Sequence, residues 1–194
     1  MARKMRWVVS GAMGIALLAA GCGSRDREAT EAAINATQAA VDAAQVDAEK
    51  YVPEQVQAAQ GALQSARTAL AKNDYDGALA AARDAANKAK EMAVAAVEKK
   101  KEWEKSWAEL NESIPKSLEQ VRYRLYTFSH GARLPEGMDK DGLEEAEEEY
   151  AQLKQSWAEA TGAATQGNLR EAIEKGTGVR EALTELRETL GFKT

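Results

Sequence analysis

Apolar residues recur at alternating intervals of three and four along almost the whole chain after residue 30. This spacing places them on one face of an α-helix, and no stretch shows the strict alternation that is typical of a strand. We therefore expect an all-α fold, an elongated antiparallel bundle of five or six helices, each burying one face. The first two faces are Ile34, Thr37, Val41, Ala44, Ala48 and Tyr51, followed by Val56, Ala59, Leu63, Ala66 and Leu70.

The same spacing continues through the rest of the chain. The third helix is predicted to use Tyr75, Leu79, Ala82, Ala86, Ala89 and Ala93, and then Trp103, Trp107, Leu110 and Ile114. The later faces are Leu118, Val121, Leu125 and Phe128; Leu143, Ala146, Tyr150, Leu153, Trp157, Ala160 and Ala164; and Leu169, Ala172, Gly176, Val179, Leu183, Leu186 and Leu190.

Proline residues and polar turns mark the predicted ends of these helices. Pro53 ends or kinks the first helix and can open the second as a first-turn residue. Asn73 or Asp74 is the predicted N-cap of the third. Pro115 predicts that this helix stops and a new one starts, because proline inside a helix removes a hydrogen bond.

Two further signals lie in the second half of the chain. The segment from residue 130 to 137 is the longest predicted loop, and Asp139 or Asp141 is expected to cap the helix after it. Gly167 and Asn168 form the last turn. Asn168 with Glu171 three residues later has the pattern of a capping box.

Alanine is distributed unevenly, with 25 alanines between residues 29 and 96 and 10 after them. Most aromatic residues of the mature chain lie in its second half. Small residues let helices approach closely but bury little apolar area. The shift predicts two regions, an alanine-rich helical hairpin region at 32–112 and an aromatic-containing C-terminal helical region at 113–194.

The chain begins with the features of an export signal. Arg3, Lys4 and Arg6 provide positive charge, and the apolar run of 14 residues from Trp7 to Ala20 is too short for an ordinary transmembrane helix. We therefore expect residues 1–21 to be a signal peptide.

Two small residues, Ala20 and Gly21, directly precede Cys22, the only cysteine. The segment from Leu17 to Cys22 resembles the lipobox of bacterial lipoproteins. The resemblance implies cleavage between Gly21 and Cys22 and attachment of fatty acyl chains such as palmitate to Cys22, with 22–31 as a lipidated tether. The alternatives are an ordinary secretory peptide cut elsewhere and an uncleaved anchor. An aspartate after the cysteine favours the inner membrane in this family, so Gly23 favours the outer membrane, facing the periplasm.

Without residues 1–21 the chain keeps 23 Lys and Arg against 31 Asp and Glu, a net charge of −8. An acidic chain is a poor partner for nucleic acid or for an anionic membrane surface. Its only thiol is assigned to the lipid, so no disulfide is expected to stabilise the fold.

The turns at Asp74 and Asn168 resemble each other when they are superimposed with an offset of 94 residues. The alignment pairs Leu63 with Trp157, Ala66 with Ala160, Tyr75 with Leu169, Ala78 with Ala172 and Leu79 with Ile173. Both hairpins have a tetratricopeptide-like turn, although the 34-residue period of that family is absent. Duplication and convergence both remain open. In the second hairpin Trp157 lies opposite Gly176 and Gly178, which we expect to make room for its indole.

Residues 29–100 also resemble an alanine-rich helical domain of unknown function found in outer-membrane lipoproteins. The resemblance rests on three segments and implies only a fold and a location, because no activity is assigned to that family. These segments are Tyr51-Val52-Pro53-Glu54, Ala66-Arg67-Thr68-Ala69-Leu70 and Asn73-Asp74-Tyr75-Asp76-Gly77-Ala78-Leu79.

The residues needed for catalysis or for a metal site are scarce. With one histidine and one lipidated cysteine, neither an activated nucleophile nor a zinc site is expected. We predict no enzyme activity, no cofactor and no metal. Weaker alternatives are calcium at Asp139, Asp141, Gly142 and Glu144, paired carboxylates within Glu144–Glu149, and covalent attachment through Lys193; His130 is assigned to a helix end.

The functional candidates are Trp103 and Trp107, which lie one helical turn apart after Lys99–Lys101. They form either a partner-binding patch or part of the core between the two halves. A partner-binding patch predicts a lipid-anchored periplasmic scaffold or adaptor whose partner is an unknown periplasmic protein or a second copy of this chain. The alternative function is a carrier for an apolar ligand between the two halves, in a pocket lined by Trp103, Trp107, Tyr123 and Tyr126.

The lipid anchor yields the first testable prediction. Cys22→Ser should abolish incorporation of radiolabelled palmitate and release the chain from the membrane fraction, because a serine hydroxyl does not replace the thiol that receives the diacylglyceryl group. Ser24→Ala is the control and should keep both properties. Palmitate labelling that survives Cys22→Ser would contradict the lipobox reading.

Overall fold

The structure is a computed structural model that describes the backbone of residues 24–192 and the side chains of residues 26–192. All regular elements in this part of the chain are helices, which confirms the predicted all-α class. The helices are α1 (Ser24–Tyr51), α2 (Pro53–Ala71), α3 (Tyr75–Ser129), α4 (Lys140–Thr165) and α5 (Leu169–Thr189). Helix α1 begins at Ser24, inside the segment 22–31 that was predicted as a tether.

Of the two helix breaks predicted at proline residues, the structure has the one at Pro53 but not the one at Pro115. Pro53 is the first residue of α2, as expected, because a first-turn residue needs no helical N–H donor. The break at Pro115 was wrong, since α3 continues through it. Proline inside a helix costs about 3 kcal/mol. Burial of Leu110 and Ile114 before it, and of Leu118 after it, offsets that cost at roughly 1.5–3 kcal/mol for each side chain.

The chain divides into two compact units, which are described separately. The first comprises residues up to Ala43 together with Gln57–Ala89, and the second comprises Ala44–Val56 and Lys90–Thr194. Each of α1, α2 and α3 therefore contributes residues to both units. The division within α3 lies at residues 89 and 90, whereas the division by composition lies at 112 and 113.

The first unit has a core made mainly of alanine. Ile34 of α1 and Leu63 of α2 pack with small residues of α2 and α3. Thr37 Oγ1 donates to the carbonyl oxygen of Ala33 at 2.9 Å and lies 3.5 Å from the carbonyl oxygen of Ala82. The contact to a carbonyl on another helix requires a close approach of the backbones, which small residues permit. The small members of this core are Ala66, Ala78, Ala82 and Ala85.

The predicted face of the first half of α3 was partly wrong. Ala82 and Ala89 are buried as expected, but Ala93 is exposed and Leu79 is only half-buried. Ala78, Ala85, Met92 and Ala96 are buried instead. Alanine occurs on both candidate faces, so periodicity alone could not separate them.

The second unit has a core of large side chains. Buried residues of α3 pack with residues of α4 and α5, which form an antiparallel hairpin across the Gly167 turn. The largest fully buried side chains here include Ile114, Leu183 and Leu186. The other main members of this core are Leu110, Val121, Leu125, Phe128, Leu153, Val179 and Leu190.

The two corresponding turns are closed by equivalent backbone hydrogen bonds. Asn73 (φ 59°) and Gly167 (φ 79°) both adopt the left-handed conformation after a helix. The next residue, Asp74 or Asn168, donates its N–H to the carbonyl of Ala69 or Ala163, at 3.0 and 2.9 Å. This is the Schellman closure. The aligned alanines, Ala66 with Ala160 and Ala78 with Ala172, are all fully buried.

The N-caps of the two turns differ. Asp74 Oδ1 accepts a hydrogen bond from the Gly77 N–H at 2.9 Å, as the cap prediction requires. The capping box at Asn168 was wrong, because the Asn168 side chain makes no bond to the helix backbone. Its N–H is already used by Ala163, so Glu171 accepts from the Asn168 side-chain amide instead, at 2.8 Å.

The long loop runs from residue 130 to Asp139, close to its predicted position. Asp139 is the N-cap of α4, and its Oδ1 accepts from the Gly142 N–H at 2.9 Å.

At the end of α5, the guanidinium groups of Arg124 and Arg187 lie 5.1 and 4.5 Å from the centre of the Phe192 ring. These cation–π contacts hold the end of the described chain against α3 and α5.

Two alanine substitutions in and after α4 should have opposite effects. Gly167→Ala should lower the free energy of unfolding by about 1–2 kcal/mol, because the left-handed conformation strains an L side chain. Gly162→Ala should raise it by about 0.5–1 kcal/mol, because a Cβ there meets nothing within 4 Å and alanine favours a helix. Urea unfolding followed by circular dichroism measures both. A destabilising Gly162→Ala would contradict the described packing of α4.

Candidate functional site

Trp103 lies against the corner between α1 and α2 in the second unit. Its ring centre is 5.2 Å from that of Tyr51, with 59° between the ring planes. Both side chains are half-buried. The corner forms because Pro53 opens α2 one residue after Val52, which places Tyr51 at the end of α1. Trp103 therefore has a tilted aromatic neighbour and a remaining solvent-accessible part.

Trp107 has different surroundings, although it lies one turn further along α3. Its ring stacks on Trp157 of α4, with ring centres 5.3 Å apart and 23° between the planes. A Cβ built on Gly176 of α5 would lie 3.5 Å from Trp157 and 3.7 Å from Trp107. The glycine thus makes room for both indoles. Gly178 was predicted to do the same and does not, since nothing lies within 4 Å of its Cβ position.

An exposed aromatic stripe lies near the end of α3, formed by Tyr123, Tyr126 and His130. Tyr123 is 66% exposed and Tyr126 is 54% exposed. The Tyr126 and His130 ring centres are 4.0 Å apart, and His130 Nδ1 lies 2.8 Å from the Tyr126 carbonyl oxygen. Spacings of three and four place the three rings on one helix face.

The structure does not gather the four aromatic residues of the carrier hypothesis into one pocket. Trp103 contacts Tyr51, Trp107 contacts Trp157, and Tyr123 and Tyr126 are largely exposed. Trp103 and Trp107 are both half-buried, so neither is a fully exposed anchor.

A cleft of about 400 Å³ lies beside Trp103 within the second unit. The α1–α2 corner forms one wall, α3 forms another, and the first turn of α5 contributes Arg170. Residues of this corner cleft were mostly missed by sequence reasoning, because they come from four helices and follow no shared motif. The complete lining is Lys50, Tyr51, Val52, Pro53, Glu54, Gln55, Lys99, Trp103 and Arg170.

The corner cleft is positively charged, with three basic side chains and one carboxylate in its lining. Lys99 is paired with Glu102 at 2.9 Å. Lys50 Nζ donates to the Gly167 carbonyl oxygen and lies 5.8 Å from the centre of the Tyr51 ring, and it has no acidic partner within residues 26–192. Within residues 26–192, Arg170 has no acidic partner at ion-pair distance.

Hydrogen bonding and burial shift pKa values elsewhere in this unit. Lys175 Nζ donates a hydrogen bond to Glu159 Oε2 on the neighbouring helix at 2.7 Å, and this bond lowers the pKa of Glu159. Burial raises the pKa of the Tyr150 hydroxyl, which the positive charge of Arg122 opposes. The ion pair stabilises the fold while Glu159 is ionised, and this stabilisation is lost as the pH falls through the lowered pKa of Glu159 in the folded state. The loss is small, because solvent screens a pair on the surface.

The remaining sequence candidates lie in ordinary structural positions. His130 follows the last residue of α3, Asp139 caps α4, and Glu144–Glu149 lie in the second and third turns of α4. No group of three His, Cys, Asp or Glu side chains in the described part of the chain is placed to hold a metal ion.

The predicted lipidation and cleavage residues, Cys22 and Gly21, lie outside the described residues, as does Lys193. None of the helices between residues 24 and 192 has both the length and the apolar character needed to cross a bilayer. No protein-family model matches the chain, and comparisons with curated proteins and with solved structures gave no match.

Two glycines of α5 provide a test of the indole packing. Gly178→Ala should raise the free energy of unfolding by about 0.5–1 kcal/mol through helix propensity. Gly176→Ala should be less stable than Gly178→Ala by about 1 kcal/mol or more, because its Cβ would lie 3.1 Å from Leu110 inside the packed core. Equal urea midpoints for the two variants would show that Leu110 and the indoles move without cost.

Proposed function

We propose that this protein is a lipid-anchored adaptor of the bacterial cell envelope that faces the periplasm and binds a partner protein through the exposed aromatic stripe. The observation that carries this proposal is the exposure of Tyr123 and Tyr126 on one face of α3. Large aromatic side chains are costly to leave in water and are enriched where proteins bind each other.

The order within the stripe supports a binding role. Tyr126 is held by its ring contact with His130, and His130 is held by the Tyr126 carbonyl. Side chains that are already fixed lose less conformational entropy when a partner covers them. The opposite face of this segment is in the core, through Val121, Leu125 and Phe128, so the stripe is displayed on a rigid support.

The lipid anchor is the second part of the proposal and rests on the sequence. Three acyl chains at Cys22 would hold the protein at the membrane, since each buried methylene contributes about 0.8 kcal/mol. Gly23 favours the outer membrane. Ser24 already belongs to α1, so a lipidated chain would be helical almost from its point of attachment.

We expect photo-crosslinkers at positions 123 and 126 of the lipidated protein, in its native envelope, to capture one discrete partner protein. A crosslinker at Glu148, which is exposed on α4, is the control and should not capture it. The partner is then purified and titrated against the full chain. Tyr123→Ala and Tyr126→Ala should each weaken binding about tenfold, because an interface anchor contributes roughly 1–2 kcal/mol.

Other outcomes would contradict the adaptor. Adducts of the chain with itself would indicate self-association, which alanine-rich helices also permit. Equal capture from position 148, or a partner whose affinity is unchanged by Tyr123→Ala and Tyr126→Ala, would remove the stripe as the binding surface.

A further inference from the structure

We propose that the corner cleft binds a small organic anion, a carboxylate carried on a planar apolar group. This inference is independent of the lipid anchor and of the aromatic stripe, and it concerns residues of the second unit alone. It rests on the size of the cleft, its aromatic wall and the sign of its charge.

The size of the corner cleft suits a small molecule. Its volume of about 400 Å³ lies at the lower end of the range of roughly 300–1,000 Å³ that is typical of ligand pockets. The walls come from helices whose buried faces are fixed in the core nearby, through Ala48, Val56 and Ala96. A pocket between such elements is largely formed before a ligand arrives.

The aromatic wall supplies the apolar part of the site. Tyr51 and Trp103 are tilted by 59° and are only half-buried, so part of their ring surface faces the cleft. Val52 and Pro53 extend this surface. A planar apolar group can pack against it in an offset or edge-on arrangement, which aromatic pairs prefer.

The charge of the corner cleft selects an anion. Lys50 and Arg170 have no acidic partner within the described residues, while Glu54 is the only carboxylate in the lining. This local positive charge lies on a chain whose net charge is −5. A guanidinium group matches a carboxylate through two parallel hydrogen bonds. A cationic ligand would meet like charges instead.

The position of Arg170 near the start of α5 is a further argument for a binding role, because a basic side chain there destabilises the helix. It is the second residue of α5, where the positive end of the helix dipole makes a basic side chain unfavourable. Its neighbour Glu171 is engaged with Asn168 and Lys175. A residue that violates a local rule with no compensating contact is a candidate for function.

The test is equilibrium dialysis of the purified full chain in non-ionic detergent against 2-naphthoate, with empty micelles to correct for partition. We expect saturable binding of one molecule. The neutral isostere 2-naphthylmethanol should bind at least about tenfold more weakly, because it lacks the charge that Arg170 and Lys50 recognise. Naphthoate that binds no better than the alcohol, or that does not saturate, would overturn the proposal.

Variants locate the binding to the cleft. Arg170→Gln and Lys50→Gln should each weaken naphthoate binding about tenfold, whereas Arg180→Gln, exposed on the same helix, should leave it unchanged. Glu54→Gln should tighten binding about twofold by removing the only acid of the lining. A gain in affinity cannot result from misfolding. Equal losses in Arg170→Gln and Arg180→Gln would show that the anion binds elsewhere.

Discussion

Each described helix has one apolar face, and the fold depends on covering that face at close range. The two units do this with different side chains. In the first, alanines let the backbones approach until Thr37 reaches a carbonyl on another helix. In the second, large aliphatic and aromatic side chains fill the space, and Gly176 leaves room for two indoles. Stability per buried residue is therefore expected to be higher in the second unit.

The C-terminal ends of the helices impose a second constraint, because the last backbone carbonyls of a helix have no partner within it and need other hydrogen-bond donors. Asn73, Gly131, Gly167 and Gly191 all take a left-handed conformation for this purpose. The two interhelical turns at Asn73 and Gly167 share the Schellman closure, although their N-caps differ. The closure uses the Asn168 N–H, so Glu171 does not receive the reciprocal hydrogen bond that a capping box requires. The shared geometry is compatible with duplication and with convergence, because the Schellman closure is a general solution for a tight helical turn.

The aromatic residues of α3 serve three different purposes according to their depth. Trp107 is half-buried and stacks on Trp157, Trp103 borders the corner cleft, and Tyr123 and Tyr126 are largely exposed. This separation underlies both proposals. An exposed stripe on a rigid helix suits a large partner, whereas a positively charged cleft with an aromatic wall suits a small anion. The two surfaces share no residue, so each can be removed by substitution without changing the other.

The sequence alone determined the all-α class, most of the buried faces and the turn at each hairpin, and it narrowed two N-caps to Asn73 or Asp74 and to Asp139 or Asp141. These properties follow from local spacing and from side chains that act within one or two turns. The tertiary structure decided the rest. It kept α3 intact through Pro115, because burial on both sides exceeds the local cost of proline, and it chose between two alanine faces of α3 that periodicity cannot rank. It also assembled the corner cleft from Lys50, Tyr51, Trp103 and Arg170, whose proximity depends on how four helices pack and on no spacing along the chain.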